Sequence, residues 1–262
     1  MDLLGGVTIV TGSAAGLGAA AARLLAGKGC RVVVNYSKSA DEAEKVAADC
    51  RAAGSDAIVV KANVGKDEDC RRLAAAALDK WGRIDGLINN AGTTKFVDAA
   101  DLDGLSSDDF QALYQVNVIG AYQMTRAVAP AMKKAGRGAV VNVSSVAGIR
   151  GSGSSLAYAA SKGALNTLTI GLARALGPEI RVNAILPGFF ESRWLRGGLG
   201  EGYDTAKARV EAGAALKRAG TPEDMAKVAV FLLEGADYVT GQLLPVEGGQ
   251  LLAVSAAYQL KK

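Results

Sequence analysis

Tyr158 and Lys162 stand four residues apart in the stretch Tyr158-Ala159-Ala160-Ser161-Lys162. Residues at that spacing share one face of a helix, which would bring the lysine ammonium near the phenol hydroxyl. A free tyrosine ionises near pH ~10, too high for ready proton exchange at neutral pH, and a neighbouring cation lowers that value by favouring the phenolate. The pair therefore has the makings of a proton-handling unit. Ser145 closes the run Asn142-Val143-Ser144-Ser145, just past a strand-like segment, where an open α/β sheet presents its ligands. Its hydroxyl could hold a substrate oxygen against Tyr158. Many helices carry Y-x-x-x-K as an exposed pair. Here the spacing draws weight from the serine after a strand, from a glycine-rich turn, and from the absence of any histidine.

That turn is Thr11-Gly12-Ser13-Ala14-Ala15-Gly16-Leu17-Gly18. It lies between the first strand-like run and the first helix-like one. Glycines there let the backbone bend sharply and approach a pyrophosphate, while the helix start offers free N–H groups and a positive dipole end. The spacing is G-x-x-x-G-x-G rather than the usual G-x-G-x-x-G. The end of the second strand discriminates between the two nicotinamide dinucleotides, because an acid there binds the ribose hydroxyls and repels a 2′-phosphate. Here the residues are Asn35-Tyr36-Ser37-Lys38, with no acid until Asp41. Ser37 can donate to a phosphate and Lys38 can neutralise it. The expected cofactor is NADP(H), with NAD(H) as the alternative.

The elements that must position these groups follow a regular beat. Continuous Val/Ile runs predict strands at 7–10, 32–34, 57–61, 84–89, 139–143, 181–186 and 243–246, buried on both faces because they do not alternate with polar residues. Ala-rich periodic stretches predict helices at 17–27, 40–53, 67–81, 108–134, 157–176 and 222–233. Strand–helix alternation with short links implies right-handed crossovers and a parallel sheet. The fold class is α/β: a single-domain doubly wound (Rossmann) parallel sheet of about seven strands with helices on both faces. Residues 190–216 break the beat. They are rich in glycine and charge, as a substrate lid would be.

Composition narrows the chemistry further. The three cysteines, Cys30, Cys50 and Cys70, are odd in number and far apart, which suits free thiols in a reducing compartment and excludes paired metal-ligand spacings. A net charge of +4, with Lys and Arg scattered, is an ordinary solvated surface and not a nucleic-acid footprint. No apolar run is long enough to cross a bilayer. No basic leader precedes the first apolar run. The expectation is a cytoplasmic protein with no membrane and no nucleic-acid partner.

Several ordered motifs together resemble the short-chain dehydrogenase/reductase family across nearly the whole chain. Thr11-Gly12…Gly16…Gly18 matches its cofactor turn, and Asn89-Asn90-Ala91-Gly92 the motif after its fourth strand. Asn117 in Gln115-Val116-Asn117-Val118 matches the asparagine of its long helix. Ser145, Tyr158 and Lys162 match its serine, tyrosine and lysine, at the usual separation of thirteen residues from Ser145 to Tyr158. Pro187-Gly188…Ser192 resembles the turn facing the nicotinamide carboxamide. Pro222-Glu223-Asp224 and Thr240-Gly241-Gln242…Gly248-Gly249 resemble its C-terminal signatures.

The resemblance implies an oxidoreductase that exchanges a hydride between nicotinamide and a ketone or secondary alcohol. Tyr158 would be general acid in reduction and base in oxidation. Lys162 would bind the nicotinamide ribose and depress the tyrosine pKa, and Ser145 would orient the carbonyl. Asn117 would position a water linking Lys162 to solvent. The implied cofactor contacts are Gly12, Ser13, Ala15, Gly16, Leu17 and Gly18 in the turn. Asn35, Tyr36, Ser37 and Lys38 would follow the second strand, with Asn63 and Val64 after the third. Asn90, Ala91, Gly92, Tyr158, Lys162, Pro187, Gly188 and Ser192 complete the set. No metal is implied. Two positions depart from the pattern. Asn63 stands where the family has aspartate, and Ala15 where many NADP(H)-using members are basic. A homo-oligomer, tetramer or dimer, is expected through the helices carrying Asn117 and Tyr158.

Two other readings are open. Acyl-carrier or CoA 3-oxoacyl thioesters are alternative substrates, for which Lys133, Lys134 and Arg137 could attract an acidic carrier and Glu179 would oppose it. A dinucleotide-sensing scaffold without chemistry is the alternative of another class, and the retained polar quartet speaks against it. Phe189, Phe190, Trp194 and Leu195 suggest an apolar or aromatic wall for the substrate.

Overall fold

In the computed structural model, which describes residues 3–252, the β-branched runs form seven parallel strands in one sheet. Its first half runs β1 (Val7–Val10), α1 (Gly16–Gly27), β2 (Arg31–Tyr36), α2 (Ala40–Ala52), β3 (Ala57–Lys61), α3 (Asp67–Trp81) and β4 (Gly86–Asn89). Then come α4 (Ser107–Tyr114), a π-helical turn (Gln115–Gly120), α5 (Ala121–Lys134), β5 (Gly138–Val143), α6 (Ala147–Arg150) and α7 (Leu156–Leu176). The chain continues through β6 (Ile180–Pro187), α8 (Arg193–Leu199), α9 (Tyr203–Gly213), α10 (Pro222–Glu234) and β7 (Leu243–Val246).

The strand order is β3-β2-β1-β4-β5-β6-β7. The order reverses between β1 and β4, which opens a crevice at the carboxyl ends of those strands. Successive strand residues point to opposite faces. Val32 and Val34 accordingly join the core beneath α1, α2 and α10, while Val33 joins the core beneath α3 and α5. Both faces of the central strands β1, β4, β5 and β6 are dry, which explains why they read as nearly unbroken apolar runs, while the outer strands β3 and β7 are only partly covered.

Two expectations about elements change. The helix expected over 108–134 is not uniform, because residues Gln115–Gly120 open into a π turn with Asn117 inside it. Such turns cluster at functional sites, where they shift side-chain register within a helix. Residues 190–216, which break the strand–helix beat and where a lid is expected, hold two helices, α8 and α9, joined by a 3-10 turn at Gly200–Gly202. No residue of α8 is buried.

Candidate active site

Strand β5 ends at Val143, and the chain turns at once into Ser144-Ser145 at the carboxyl edge of the sheet. Helix α7 crosses this edge. Its start is fixed by Ser155, whose hydroxyl accepts from the Tyr158 amide at 3.2 Å, satisfying one of the orphan donors of the first turn. That cap sets Tyr158 facing Ser145. The Ser144 hydroxyl donates to the Lys162 carbonyl at 3.1 Å and pairs with Asn166 Oδ1 at 2.6 Å, riveting α7 to the turn.

Tyr158 is buried, with its hydroxyl hydrogen-bonded to Ser145. Lys162 is also buried, and its Nζ lies 5.6 Å from the centre of the Tyr158 ring. The lysine does not reach the phenol oxygen. Instead it donates to the Val143 carbonyl at 2.8 Å. This corrects the expected electrostatics. Burial pushes the Tyr158 pKa up to about 12, and the Ser145 hydroxyl only partly offsets that. Burial also pulls the Lys162 pKa down to about 8. In the protein alone, desolvation outweighs any help the ammonium gives the phenolate.

Asn117 is buried and its side chain is fully engaged. Oδ1 accepts from the Thr93 amide at 2.8 Å, while Nδ2 donates to the Thr93 carbonyl and the Ser161 hydroxyl at 3.0 Å each. Ser161 in turn donates to the Tyr158 carbonyl at 2.8 Å. Asn117 thus ties α7 to the loop after β4 rather than pointing an open amide at solvent. Gly92 sits beside it, and a Cβ there would lie 3.7 Å from Lys162 Nζ.

The glycine turn is built for close approach. Gly16 has φ +56° with open space where a side chain would be, and a Cβ on Gly18 would fall 2.5 Å from Asn90 Nδ2. Ala15 precedes α1 without a side-chain cap, and no acid occupies the first helical turn. The first N–H groups of α1 are therefore left for an anion. Asn90 holds the turn, donating from Nδ2 to the carbonyls of Thr11 and Gly12 at 2.8 and 2.9 Å. Thr11 accepts from the amides of Asn90 and Ala91 at 3.0 Å each.

Several expected cofactor contacts turn out to be scaffolding in their side chains. Asn35 is buried. Its Oδ1 accepts from the Gly12 amide at 2.9 Å, and its Nδ2 faces the carbonyls of Val60 and Ala62. Ser13 is buried and donates to the Val10 carbonyl at 2.7 Å. Leu17 and Val64 pack into the two cores. Asn63 uses Oδ1 to accept from the Gly65 amide at 3.0 Å. Ser192 caps α8 by accepting from the Leu195 amide at 3.2 Å. Pro187 ends β6, and the Gly188 amide just after it donates to the Val246 carbonyl at 3.0 Å. Tyr36 packs against the core, whereas Ser37 and Lys38 are exposed.

Beside the turn opens a cavity of about 290 Å³ between residues 14–16 and the side chains of Arg23, Glu42, Lys45 and Arg193. Arg193, at the start of α8, donates to Glu42 on α2 at 2.6 Å. This ion pair joins α8 to α2.

The aromatic wall is smaller than its sequence suggested. Phe189 packs on Tyr203, with ring centres 5.7 Å apart, and Phe190 packs against the core. Trp194 alone of the four meets Tyr158, at 5.7 Å between ring centres, and Phe96 meets Trp194 at 5.8 Å. Sequence reasoning missed Phe96, Thr93 and Ser161. An aromatic soon after Asn90-Ala91-Gly92 was a usable signal for Phe96. Small polar residues on an Ala-rich helix carry none. The basic cluster Lys133, Lys134 and Arg137 precedes β5, so it lies about 20 Å from Ser145, one strand length away. It cannot flank the site, and neither can Glu179.

All three cysteines are free and buried, and burial pushes their thiols up to about 11 or 12. Among the described residues there is no cluster suited to a metal ion, and no helix is long and apolar enough to cross a membrane.

Comparison with known proteins agrees with this geometry. Residues 12–250 match the family model described as enoyl-(acyl carrier protein) reductase. The chain is 42% identical over 243 residues to the granaticin polyketide synthase ketoacyl reductase 2 of Streptomyces violaceoruber, covering 93% of this chain and 95% of that protein. A crystal structure described as a short-chain dehydrogenase/reductase from Burkholderia xenovorans superposes with a TM-score of 0.88 at 43% identity, covering 94% of this chain and 98% of the other. NAD+-bound xylitol dehydrogenase superposes at 0.87 with 30% identity, covering 95% and 100%. The chain belongs to the short-chain dehydrogenase/reductase family and is an NAD(P)-dependent oxidoreductase acting on C=O and CH–OH groups.

Proposed function

We propose that this chain is an NADP(H)-dependent carbonyl reductase and alcohol dehydrogenase, with Tyr158 as the proton donor in reduction and acceptor in oxidation. The observation that carries this reading is the Tyr158–Ser145 hydroxyl pair at the carboxyl end of β5, backed by the buried ammonium of Lys162. A dinucleotide fits the chain: Gly16 leaves an open cradle, Gly18 lets Asn90 approach, and the uncapped start of α1 suits a pyrophosphate. The bound nicotinamide would supply or accept the hydride.

The chain's own groups handle the oxygen and the proton. Ser145 would donate to the substrate carbonyl, hold it against Tyr158 and stabilise charge as it develops on the oxygen. Burial keeps Tyr158 protonated at neutral pH, which suits it to give a proton to an alkoxide. Oxidation needs the phenolate, so there the nearby Lys162 charge must do more than it does in the protein alone. Because the Asn117 side chain is spent on Thr93 and Ser161, its part in a proton relay falls to its main chain within the π turn.

NADP(H) over NAD(H) is supported by exposed Ser37 and Lys38 after β2 and by three cations against one carboxylate around the neighbouring cavity. The family likeness to a ketoacyl reductase favours 3-oxoacyl thioesters as the second substrate class. Apolar side chains left open on α4, the π turn, α5 and α7 (Phe110, Ile119, Tyr122 and Ile170) suit assembly into a dimer or tetramer.

Tyr158→Phe tests the reading. It should abolish NADPH oxidation across a panel of ketones and 3-oxoacyl thioesters while leaving NADPH affinity nearly intact. Retained turnover would remove Tyr158 from the chemistry. A wild type that binds NADPH tightly and reduces nothing would point to a sensor.

A further inference from the structure

We infer that Phe96 and Trp194 form a ring-recognising wall at the site mouth, so that the chain selects ketones attached or fused to an aromatic ring over aliphatic chains. This rests on Tyr158 and Ser145 being the groups that receive the carbonyl.

The loop after β4 is pinned near the start of α7, with the Val97 amide donating to the Ser154 carbonyl at 2.9 Å and Thr94 pairing with Ser154 at 2.7 Å. This anchors Phe96. Its ring lies where a side chain on Gly198 would be, 2.0 Å from the position of a Cβ. Only glycine in α8 leaves room for it. Phe96 then meets Trp194 edge-on at an interplanar angle of 64°, and Trp194 meets Tyr158 at 56°. The three rings form a continuous file ending on the catalytic phenol.

Trp194 is still 42% exposed, and α8 contributes nothing to the core. Part of the indole is therefore open to a ligand while its contacts with Phe96 and Tyr158 hold it in place. An incoming aromatic ring can pack edge or face against that open part, because its quadrupole matches those of the wall rings. An alkyl chain fills the same space without that match. The wall discriminates by ring electronics as well as by apolarity.

The experiment compares two ketones of ten carbons, bicyclic 1-tetralone and linear 2-decanone. Each is titrated calorimetrically into the protein saturated with oxidised dinucleotide, so that binding is read without turnover. Plain apolarity favours the longer flexible ketone. The wall predicts the reverse, with 1-tetralone tighter by about three- to tenfold. Trp194→Leu, which keeps bulk but not the ring, should erase the preference, and Trp194→Phe should keep most of it. Equal affinities in the wild type, no measurable binding of either ketone, or a preference that survives Trp194→Leu would each overturn the inference. Failure to oxidise NADPH despite an intact preference for 1-tetralone would sink the proton-transfer reading and leave the wall standing.

Discussion

Replacing Lys162 by methionine should stabilise the dinucleotide-free protein while destroying its activity. Burial lowers the lysine pKa from 10.5 to about 8, which corresponds to about 3 kcal/mol of penalty on the charged form in the folded chain. Methionine has a similar length and no charge to desolvate. Against that gain stands the lost bond from Nζ to the Val143 carbonyl at 2.8 Å, at about 1 kcal/mol. The net expectation at pH 7 is about 2 kcal/mol of added stability, or roughly 4–8 °C in Tm for a chain of this size. The pH dependence separates this cause from others. With a folded-state pKa below the unfolded one, the folded chain binds fewer protons between about pH 8 and pH 10.5, so the wild type gains stability as pH rises through that window. The advantage of Lys162→Met should therefore fade above pH 8 and reverse by about 1 kcal/mol near pH 10.5. Urea unfolding at pH 7 and pH 10.5, without dinucleotide, reads both numbers. A variant less stable than the wild type at pH 7, or a difference indifferent to pH, would refute the reasoning.

Gly18→Ala should cost about 1–3 kcal/mol by overpacking, since its Cβ would meet Asn90 Nδ2 at 2.5 Å and the Gly12 carbonyl at 2.7 Å; thermal unfolding and NADPH titration should both show the loss. Lys38→Ala should weaken NADPH by about tenfold, as one lost charge-assisted contact would, and leave NADH unchanged. Equal losses in a fluorescence titration would take Lys38 away from the 2′-phosphate. Tyr158 should stay protonated to about pH 12 in the protein alone, so a phenolate absorbance difference between wild type and Tyr158→Phe below pH 10 would contradict its burial. The same raised pKa means stability is lost as pH climbs from about 10 to 12. With dinucleotide bound, alcohol oxidation should rise with pH while ketone reduction stays flat near neutrality, as steady-state profiles in both directions would show.

Much of the architecture was legible because its causes are local. Central strands buried on both faces read as runs of apolar, mostly β-branched residues, and β1 and α3 have the bounds that periodicity predicted, as do the less buried outer strands β3 and β7. The glycine turn was legible for a similar reason, since only glycine tolerates the φ of Gly16 or the approach of Asn90 to Gly18. The identities of Ser145, Tyr158 and Lys162 followed from spacing on a helix and position after a strand. What spacing could not supply was the direction in which each side chain spends its polar atoms. Lys162 turns to the Val143 carbonyl rather than the phenol, Asn35 and Ser13 brace the turn they were expected to line, and Asn117 is consumed by Thr93 and Ser161. Each of those partners comes from another element, and so does the desolvation that sets the Tyr158 and Lys162 pKa values. The same holds for the wall, where Phe96 and Trp194 lie 98 positions apart and the Phe96 ring takes the place that a side chain on Gly198 would fill. Sequence alone determined which groups are available and on which strand ends they sit. Tertiary packing decided which of them remain free, because hydrogen-bond partners and burial are properties of neighbours distant along the chain.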